Sequence, residues 1–179
     1  IYIGVHSTSS SATAAYKITN PFTSSEQVTS ILTNAVDGSD VPPGDTDASS
    51  RIHGVVSIAL DSNKNFYAAG YYGDAIAKVT PSGTKSILTN LDNGSLLFDD
   101  ADNLYIACRG GGGGPTAADK VLRLDAVSGV LETVMEIGAA TTLDLRDPLS
   151  FYQDPTSKEI FTASDYGIWR VASPYPTAE

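Results

Sequence analysis

The sequence has few of the side chains that build cross-links and metal centres. Its 179 residues include one cysteine, Cys108, which excludes an internal disulfide, and two histidines, which form no zinc-type cluster with it. No apolar run approaches the roughly 20 residues of a membrane helix. Lys and Arg number 11 against 21 Asp and Glu, a formal charge of −10, which argues against a protein that binds a phosphate backbone. We therefore expect no nucleic-acid partner and no membrane insertion.

The polar residues that are abundant are Ser, Thr and Asp, whereas Lys and Glu are scarce. Asp favours turns and Glu favours helices, so this composition predicts a β-protein with many turns. Such surfaces are common in secreted proteins, and we expect an extracellular or secreted location. The sequence begins at Ile1 with no signal-peptide pattern, which we interpret as a processed or partial chain.

A short segment repeats along the chain. Residues 57–70 align without a gap with residues 95–108, and a third copy starts at Ser150. Positions identical in the first two copies are Ser57/Ser95, Asp61/Asp99, Asn65/Asn103, Tyr67/Tyr105 and Ala69/Ala107. Each copy consists of an apolar strand, an Asp/Asn turn and a second strand with an aromatic residue, a pattern that predicts a β-hairpin.

Two further elements follow each hairpin. One is an apolar–basic–aliphatic triplet, which period-2 alternation assigns to a strand with its basic residue on one face. Its copies are centred on Lys17, Lys78, Arg123 and Arg170. The other is a Thr- and Val-rich strand, seen as Ser-Ile-Leu-Thr-Asn at both 30–34 and 86–90. Each unit therefore has four short strands, named a, b, c and d in chain order.

Four-stranded repeats of this length predict β-propeller blades. A β-sandwich also has short strands, but it does not require every fourth strand to look alike. We predict an all-β propeller segment of antiparallel blades, about four in number. The expected blade units are 1–36, 52–91, 92–137 and 145–173, with an inserted loop at 37–51. The first unit lacks strand a and the last lacks strand d, so we expect further blades from a longer chain or another subunit.

The repeat also carries a family resemblance. Its pattern is an apolar strand, Asp, a turn and Asn-Leu-Tyr-Ile-Ala, clearest at 95–108, then Lys-Val-x-Pro-Ser-Gly at 78–83. In this the chain resembles the NHL-repeat and SMP-30-like propellers of six or seven blades, which include gluconolactonase-like and virginiamycin-B-lyase-like groups. The resemblance covers nearly the whole chain and implies the fold. It implies little about activity, because such propellers include binding proteins and enzymes.

Blade geometry places the b–c and d–a connections on one face and the a–b and c–d turns on the other. The b–c and d–a connections are the long, irregular ones, and long loops on a rigid scaffold usually carry binding residues. Our main prediction is a non-catalytic extracellular propeller that binds a protein or glycan on this face without a cofactor, as a component of a larger assembly. The candidate contact residues are Tyr71, Tyr72, Tyr166, Arg109, Asp45 and Asp47.

The alternative is a metal-dependent lactonase or lyase, which the resemblance implies for part of the family. The acid–base candidates are His53, Arg51 and Arg146. The candidate oxygen ligands for a divalent cation such as Ca²⁺ or Mg²⁺ are Asp92, Asn93 and Asp147. Asn93-Gly-Ser95 is also a glycosylation sequon. Ordinary loop charges with no catalytic role are the simpler interpretation of these residues.

Overall fold

A computed structural model describes residues 1–4, 13–33, 55–70, 76–89, 93–108, 120–136, 150–164 and 167–171. Within these ranges the regular structure consists of fourteen β-strands in four antiparallel sheets, the first and last with three strands and the middle two with four. This confirms the predicted blade architecture with incomplete end blades. The described part of the chain contains no helix that could cross a membrane.

In every sheet the spatial order of the strands follows the chain order. The first sheet contains β1 (Tyr2–Gly4), β2 (Thr13–Thr19) and β3 (Gln27–Thr33). The second contains β4 (Val55–Leu60), β5 (Phe66–Gly70), β6 (Ile76–Val79) and β7 (Lys85–Thr89). The third contains β8 (Asn93–Phe98), β9 (Leu104–Cys108), β10 (Lys120–Leu124) and β11 (Leu131–Glu136). The fourth contains β12 (Ser150–Gln153), β13 (Ile160–Ser164) and β14 (Gly167–Val171).

The strands belong to two compact units, Ile1–Asn93 and Gly94–Glu179. The core of the first unit joins its two sheets through side chains that include Ala15, Leu32, Val55 and Phe66. The core of the second unit is built in the same way from Tyr105, Val121, Ile160 and Val171. Each sheet thus buries one face against its neighbour within the unit, as the packing of amphipathic sheets requires.

A repeated cross-strand pair sets the register between strands b and c. In all four sheets the aromatic residue of strand b stands directly opposite the basic residue of strand c; the pairs are Tyr2/Lys17, Tyr67/Lys78, Tyr105/Arg123 and Phe161/Arg170. The Lys17 Nζ atom lies 5.9 Å from the Tyr2 ring centroid, and the Lys78 Nζ atom lies 5.4 Å from that of Tyr67. Such contacts contribute about 0.5–1 kcal/mol each at exposed sites. A slip of one residue would separate the two side chains onto opposite faces, so the pair favours this register.

A hydrogen-bonded aspartate organises the turn between strands a and b. The Asp61 carboxylate accepts hydrogen bonds from the Asn65 backbone N–H at 2.8 Å, from the Asn65 amide Nδ2 at 2.7 Å and from the Tyr67 hydroxyl at 3.1 Å. The carboxylate of Asp99 accepts the two equivalent bonds from Asn103, both at 2.9 Å. The Asp and Asn positions that repeat in the sequence are therefore partners in one turn.

The backbone of these turns needs a left-handed residue. Lys64 and Asp102, each immediately before the Asn, have φ of 64° and 63°. A turn followed by one left-handed residue is a common way to close a three-residue hairpin loop. Asn and Asp tolerate this region better than most residues, whereas a lysine there carries a steric cost that the Asp–Asn hydrogen bonds offset.

Close packing between the first two sheets depends on one glycine. A Cβ atom added at Gly4 would lie 2.5 Å from Val55 Cγ1, far inside normal contact distance. Glycine at this point lets strand β1 approach β4 directly, which closes the apolar end of the first unit.

Gly4→Ala should lower the free energy of unfolding by about 1–3 kcal/mol, because the added methyl group overpacks this contact. Chemical denaturation of the whole chain measures the change. Val55→Ala removes the opposing Cγ1 atom, so the double variant Gly4→Ala/Val55→Ala should lose less than the sum of the two single losses. Strictly additive losses would show that the close approach to Val55 is not the cause.

Asp61→Ala should lower the free energy of unfolding by about 2–4 kcal/mol, because the Asn65 N–H and amide lose the acceptor they share. Asp100→Ala is the control: its carboxylate pairs with Lys158 at 2.7 Å on the exposed surface, and such pairs contribute about 1 kcal/mol or less. Urea titration of both variants compares them directly. Equal losses would contradict the role assigned to Asp61.

Candidate functional site

Most predicted site residues lie outside the described residues. These are Arg51, His53, Arg146, Tyr71, Tyr72, Tyr166, Arg109, Asp45, Asp47, Asp92 and Asp147. Asn93 is the first residue of β8, and Ser95 of the same sequon is buried, 8% exposed. The grouping of these residues into one site stays a prediction, as does glycosylation of Asn93.

The described residues contain a cleft of about 290 Å³ between the first and second sheets, which we call the inter-sheet cleft. One wall comes from the first sheet, through Tyr2, Lys17, Thr19, Gln27, Thr29 and Ile31. The other comes from the second sheet, through Phe66, Val79 and the turn of residues 80–83. Because 80–83 is a c–d turn, the cleft opens at the opposite end of the sheets from the b–c and d–a connections.

The cleft forms where the packing face of the first sheet changes from apolar to polar. Gly4, Ala15 and Leu32 stand opposite one another across the three strands, and Ala15 and Leu32 are fully buried. Tyr2 lies two residues before Gly4 in β1 and on the same face of the sheet. It stands opposite Lys17, and Lys17 stands opposite Thr29. Burying an ammonium and a hydroxyl in an apolar core is unfavourable without partners, so Lys17 and Thr29 line the cleft instead of extending the core.

Aromatic contacts form the apolar side of the cleft. The rings of Tyr2 and Phe66 stack with centroids 5.1 Å apart and an interplanar angle of 23°, which joins the two sheets. The Lys17 ammonium lies over the Tyr2 ring. Of the lining side chains that the structure describes, only Lys17 carries a charge. The cleft thus combines one cation, an aromatic pair and neutral polar groups.

In the second unit the basic residue of strand c is paired with a carboxylate. Arg123 Nη2 lies 2.7 Å from Glu132 Oε1 and 3.3 Å from Asp125 Oδ2, and the Arg123 side chain is 9% exposed. Glu132 stands directly opposite Arg123 on strand d. Arg170 Nη1 lies 2.9 Å from Glu159 Oε1 in the last sheet. The Arg123 cation is thus paired inside the blade, whereas the Arg170 pair lies on the exposed surface.

The first unit has no such partner at the equivalent position. Thr29 stands opposite Lys17 and Ser86 stands opposite Lys78, where the third sheet has Glu132. In the part of the chain that the structure describes, neither lysine pairs with a carboxylate. Lys17 and Thr29 were not among the residues predicted to form a site. The sequence repeat alone does not identify this position, since it aligns Ser86 with Ser30, whereas the observed strand pairing places Thr29 opposite Lys17.

The turn carboxylates at this end of the sheets are structural acceptors. Hydrogen bonds from the Ser128 N–H at 2.8 Å and hydroxyl at 2.9 Å lower the pKa of Asp125 below its ordinary value of 3.8. The N–H groups of Ser157 at 2.7 Å and Thr156 at 2.8 Å lower the pKa of Asp154 in the same way. Hydrogen bonds to the charged form favour that form. Both side chains are therefore ionised at neutral pH and unsuited to proton transfer there.

The described residues form no arrangement of side chains typical of a metal centre. No group of three His, Cys, Asp or Glu side chains there is arranged to hold a metal ion. The candidate ligands Asp92 and Asp147 lie outside these ranges, and only the backbone position of Asn93, in β8, is described.

Comparisons with known proteins identify the fold. No family model and no curated protein matches the sequence. Streptogramin B lyase matches with a TM-score of 0.55 at 12% identity, over 87% of this chain and 43% of that one. A putative 6-phosphogluconolactonase from Bacteroides uniformis matches with a TM-score of 0.54 at 14% identity, over 89% and 47%. The extracellular domain of a putative one-component system from B. thetaiotaomicron matches with a TM-score of 0.51 at 16% identity, over 87% and 21%.

These identities are too low to transfer an activity, and the likeness shows the β-propeller fold alone. The chain spans less than half the length of each of these three proteins. The predicted β-propeller fold is confirmed. The family within the β-propellers and the activity are the subject of the proposal below.

Asp154→Asn should flatten the dependence of stability on acidic pH. Because the pKa of the Asp154 carboxyl is lowered in the folded chain, its ionised form stabilises the fold above pH 3.8, and this contribution is lost as the pH falls through the folded pKa. Denaturant unfolding between about pH 5 and about pH 2 measures the effect. We expect the wild-type chain to lose more stability over this interval than the variant; equal losses would contradict the assigned role.

Proposed function

We propose that the chain is part of a β-propeller enzyme of the lactonase or lyase class, with its active site on the face formed by the b–c and d–a connections. The observation that carries this proposal is the match of the described sheets to streptogramin B lyase and to a putative 6-phosphogluconolactonase, with TM-scores of 0.55 and 0.54. The repeat sequence resembles the same broad group of propellers, which includes lactonase-like and lyase-like members beside binding proteins.

Both reaction classes need a group that removes a proton. A lactonase adds water to the ring carbonyl, so a base takes a proton from the attacking water. A lyase breaks a bond by elimination, so a base takes a proton from the adjacent carbon. Histidine is the side chain most often used for this step near neutral pH, and His53 is the candidate. Arg51 and Arg146 would stabilise the negative charge that develops on oxygen.

The family resemblance also implies a divalent cation, which would polarise a carbonyl oxygen when bound. Asp92, Asn93 and Asp147 are the candidate ligands, since carboxylate and amide oxygens suit Ca²⁺ and Mg²⁺. The described residues offer no donor set of their own that fits such an ion. The proton transfer assigned to His53 does not depend on it.

The test is an activity assay that compares the whole wild-type protein with its His53→Ala variant. The variant of the other histidine, His6→Ala, is the control. One set of substrates consists of γ- and δ-lactones, and acid release measures their hydrolysis. The other substrate is a cyclic depsipeptide lactone, and mass spectrometry distinguishes its hydrolysis from elimination. We expect turnover by the wild type, a loss of about 100-fold or more in kcat for His53→Ala, and a change of about twofold or less for His6→Ala. Absence of turnover, or equal effects of the two variants, would overturn the proposal.

A second candidate function is non-catalytic binding of a protein or glycan by a secreted propeller. The likeness to the extracellular domain of a putative one-component system favours it, at a TM-score of 0.51. Tyr71, Tyr72, Tyr166, Arg109, Asp45 and Asp47 would supply the contacts. Saturable glycan binding by a protein that turns over none of the lactones would favour this function over the enzyme.

A further inference from the structure

We propose that the inter-sheet cleft binds a small carboxylated sugar, of the hexuronate class. The cleft opens at the end of the sheets that carries the a–b and c–d turns. It is therefore a site apart from the b–c/d–a face of the proposed function, and neither proposal depends on the other.

The first argument is the charge of Lys17. Its counterpart Arg123 is neutralised by Glu132 at 2.7 Å from the opposite position on strand d. In the first sheet that position is Thr29, and the Lys17 ammonium contacts the Tyr2 ring instead. A chain with a formal charge of −10 has many carboxylates, yet the described residues place none on this lysine. A ligand with a carboxylate would supply the anionic partner that the described residues do not give to the half-buried Lys17.

The second argument is the neutral polar lining. Thr19, Gln27 and Thr29 line the cleft from the first sheet. Thr80 and Ser82 line it from the second, where their hydroxyls also hydrogen-bond each other at 2.8 Å. These groups donate and accept hydrogen bonds without adding charge, which suits a ligand with several hydroxyl groups. A simple inorganic anion would use the cation and leave this lining without a role.

The third argument is the shape of the cleft and its apolar side. The partly buried Tyr2 and Ile31 give the cleft an apolar edge beside the cation, which the C–H groups of a sugar ring can contact, while Phe66 is 2% exposed and supports Tyr2 from behind. The volume of about 290 Å³ is just below the usual range for small-molecule pockets, roughly 300–1,000 Å³. It suits one sugar ring and not a longer oligosaccharide.

The experiment titrates the whole chain with D-glucuronate, D-glucose and acetate by calorimetry, with NMR shifts to locate the site. We expect saturable binding of glucuronate, and affinities for glucose and acetate at least about tenfold weaker, because each lacks half of the matching groups. Binding of glucuronate should weaken with added salt, since it includes a charge pair. Failure to bind glucuronate, or equal affinity for glucose or acetate, would overturn the proposal.

Two matched variants locate the site. Thr29→Glu places a carboxylate opposite Lys17, as Glu132 stands opposite Arg123, and should weaken glucuronate binding by about tenfold or more. Ser86→Glu makes the same change opposite Lys78 in the second sheet and should alter the affinity by about twofold or less. Equal weakening by both variants would place the ligand elsewhere.

If Thr29→Glu does not fold, Lys17→Gln tests the same charge pair. Thermal unfolding shows whether each variant is folded. The neutral amide should reduce glucuronate binding by about tenfold or more and leave the weaker binding of glucose unchanged. Loss of glucose and glucuronate binding in equal measure would instead indicate a structural role for Lys17 and would contradict the charge pair.

Discussion

The direct opposition of an aromatic and a basic residue across strands b and c is the contact on which the rest of each blade depends. It recurs in all four sheets, from Tyr2/Lys17 to Phe161/Arg170. Because side chains alternate across a strand, this one pair decides which residues of strands b and c share a face. In the first and third sheets the pair stands on the face that packs within the unit, and Ala15 and Val121, two positions from the basic residue, belong to the cores. In the second and fourth sheets the core residues, such as Phe66 and Ile160, are direct neighbours of the aromatic residue and lie on the opposite face.

Each blade must accommodate the cation of this pair, and the blades do so in different ways. A cation close to a packing face must be solvated, paired or placed on an aromatic ring. The third sheet pairs Arg123 with Glu132, and Arg123 is buried as a result. The first sheet leaves Lys17 beside Tyr2 and opposite Thr29, and these three residues line the inter-sheet cleft. The residue opposite the strand-c cation thus differs between these two sheets: it is a carboxylate in the third and a threonine, at the proposed site, in the first.

The two ends of the sheets have different chemistry. At the end with the short turns, the carboxylates of Asp61, Asp99 and Asp154 accept hydrogen bonds within their own turns, so much of the acidity of the repeats serves backbone geometry. At the other end the long connections carry His53 and the other residues on which the proposed lactonase or lyase chemistry rests. Separation of rigid turns from variable loops is the usual basis for diverse functions on one propeller scaffold.

Local physical chemistry determined much of this protein from the sequence alone. Period-2 alternation, the repeated Asp and Asn, and the recurrent basic residue were enough to predict blades of antiparallel strands, because each signal acts between neighbours in the chain or across one turn. Only the tertiary structure decided that Tyr67 joins the Asp61 turn, that Gly4 lets two sheets meet, and that Tyr2, Lys17 and Thr29 face a cleft. The first of these features depends on the side-chain conformation within one hairpin. The other two depend on how one sheet packs against the next, and alternation along a strand shows which residues share a face but not what that face meets.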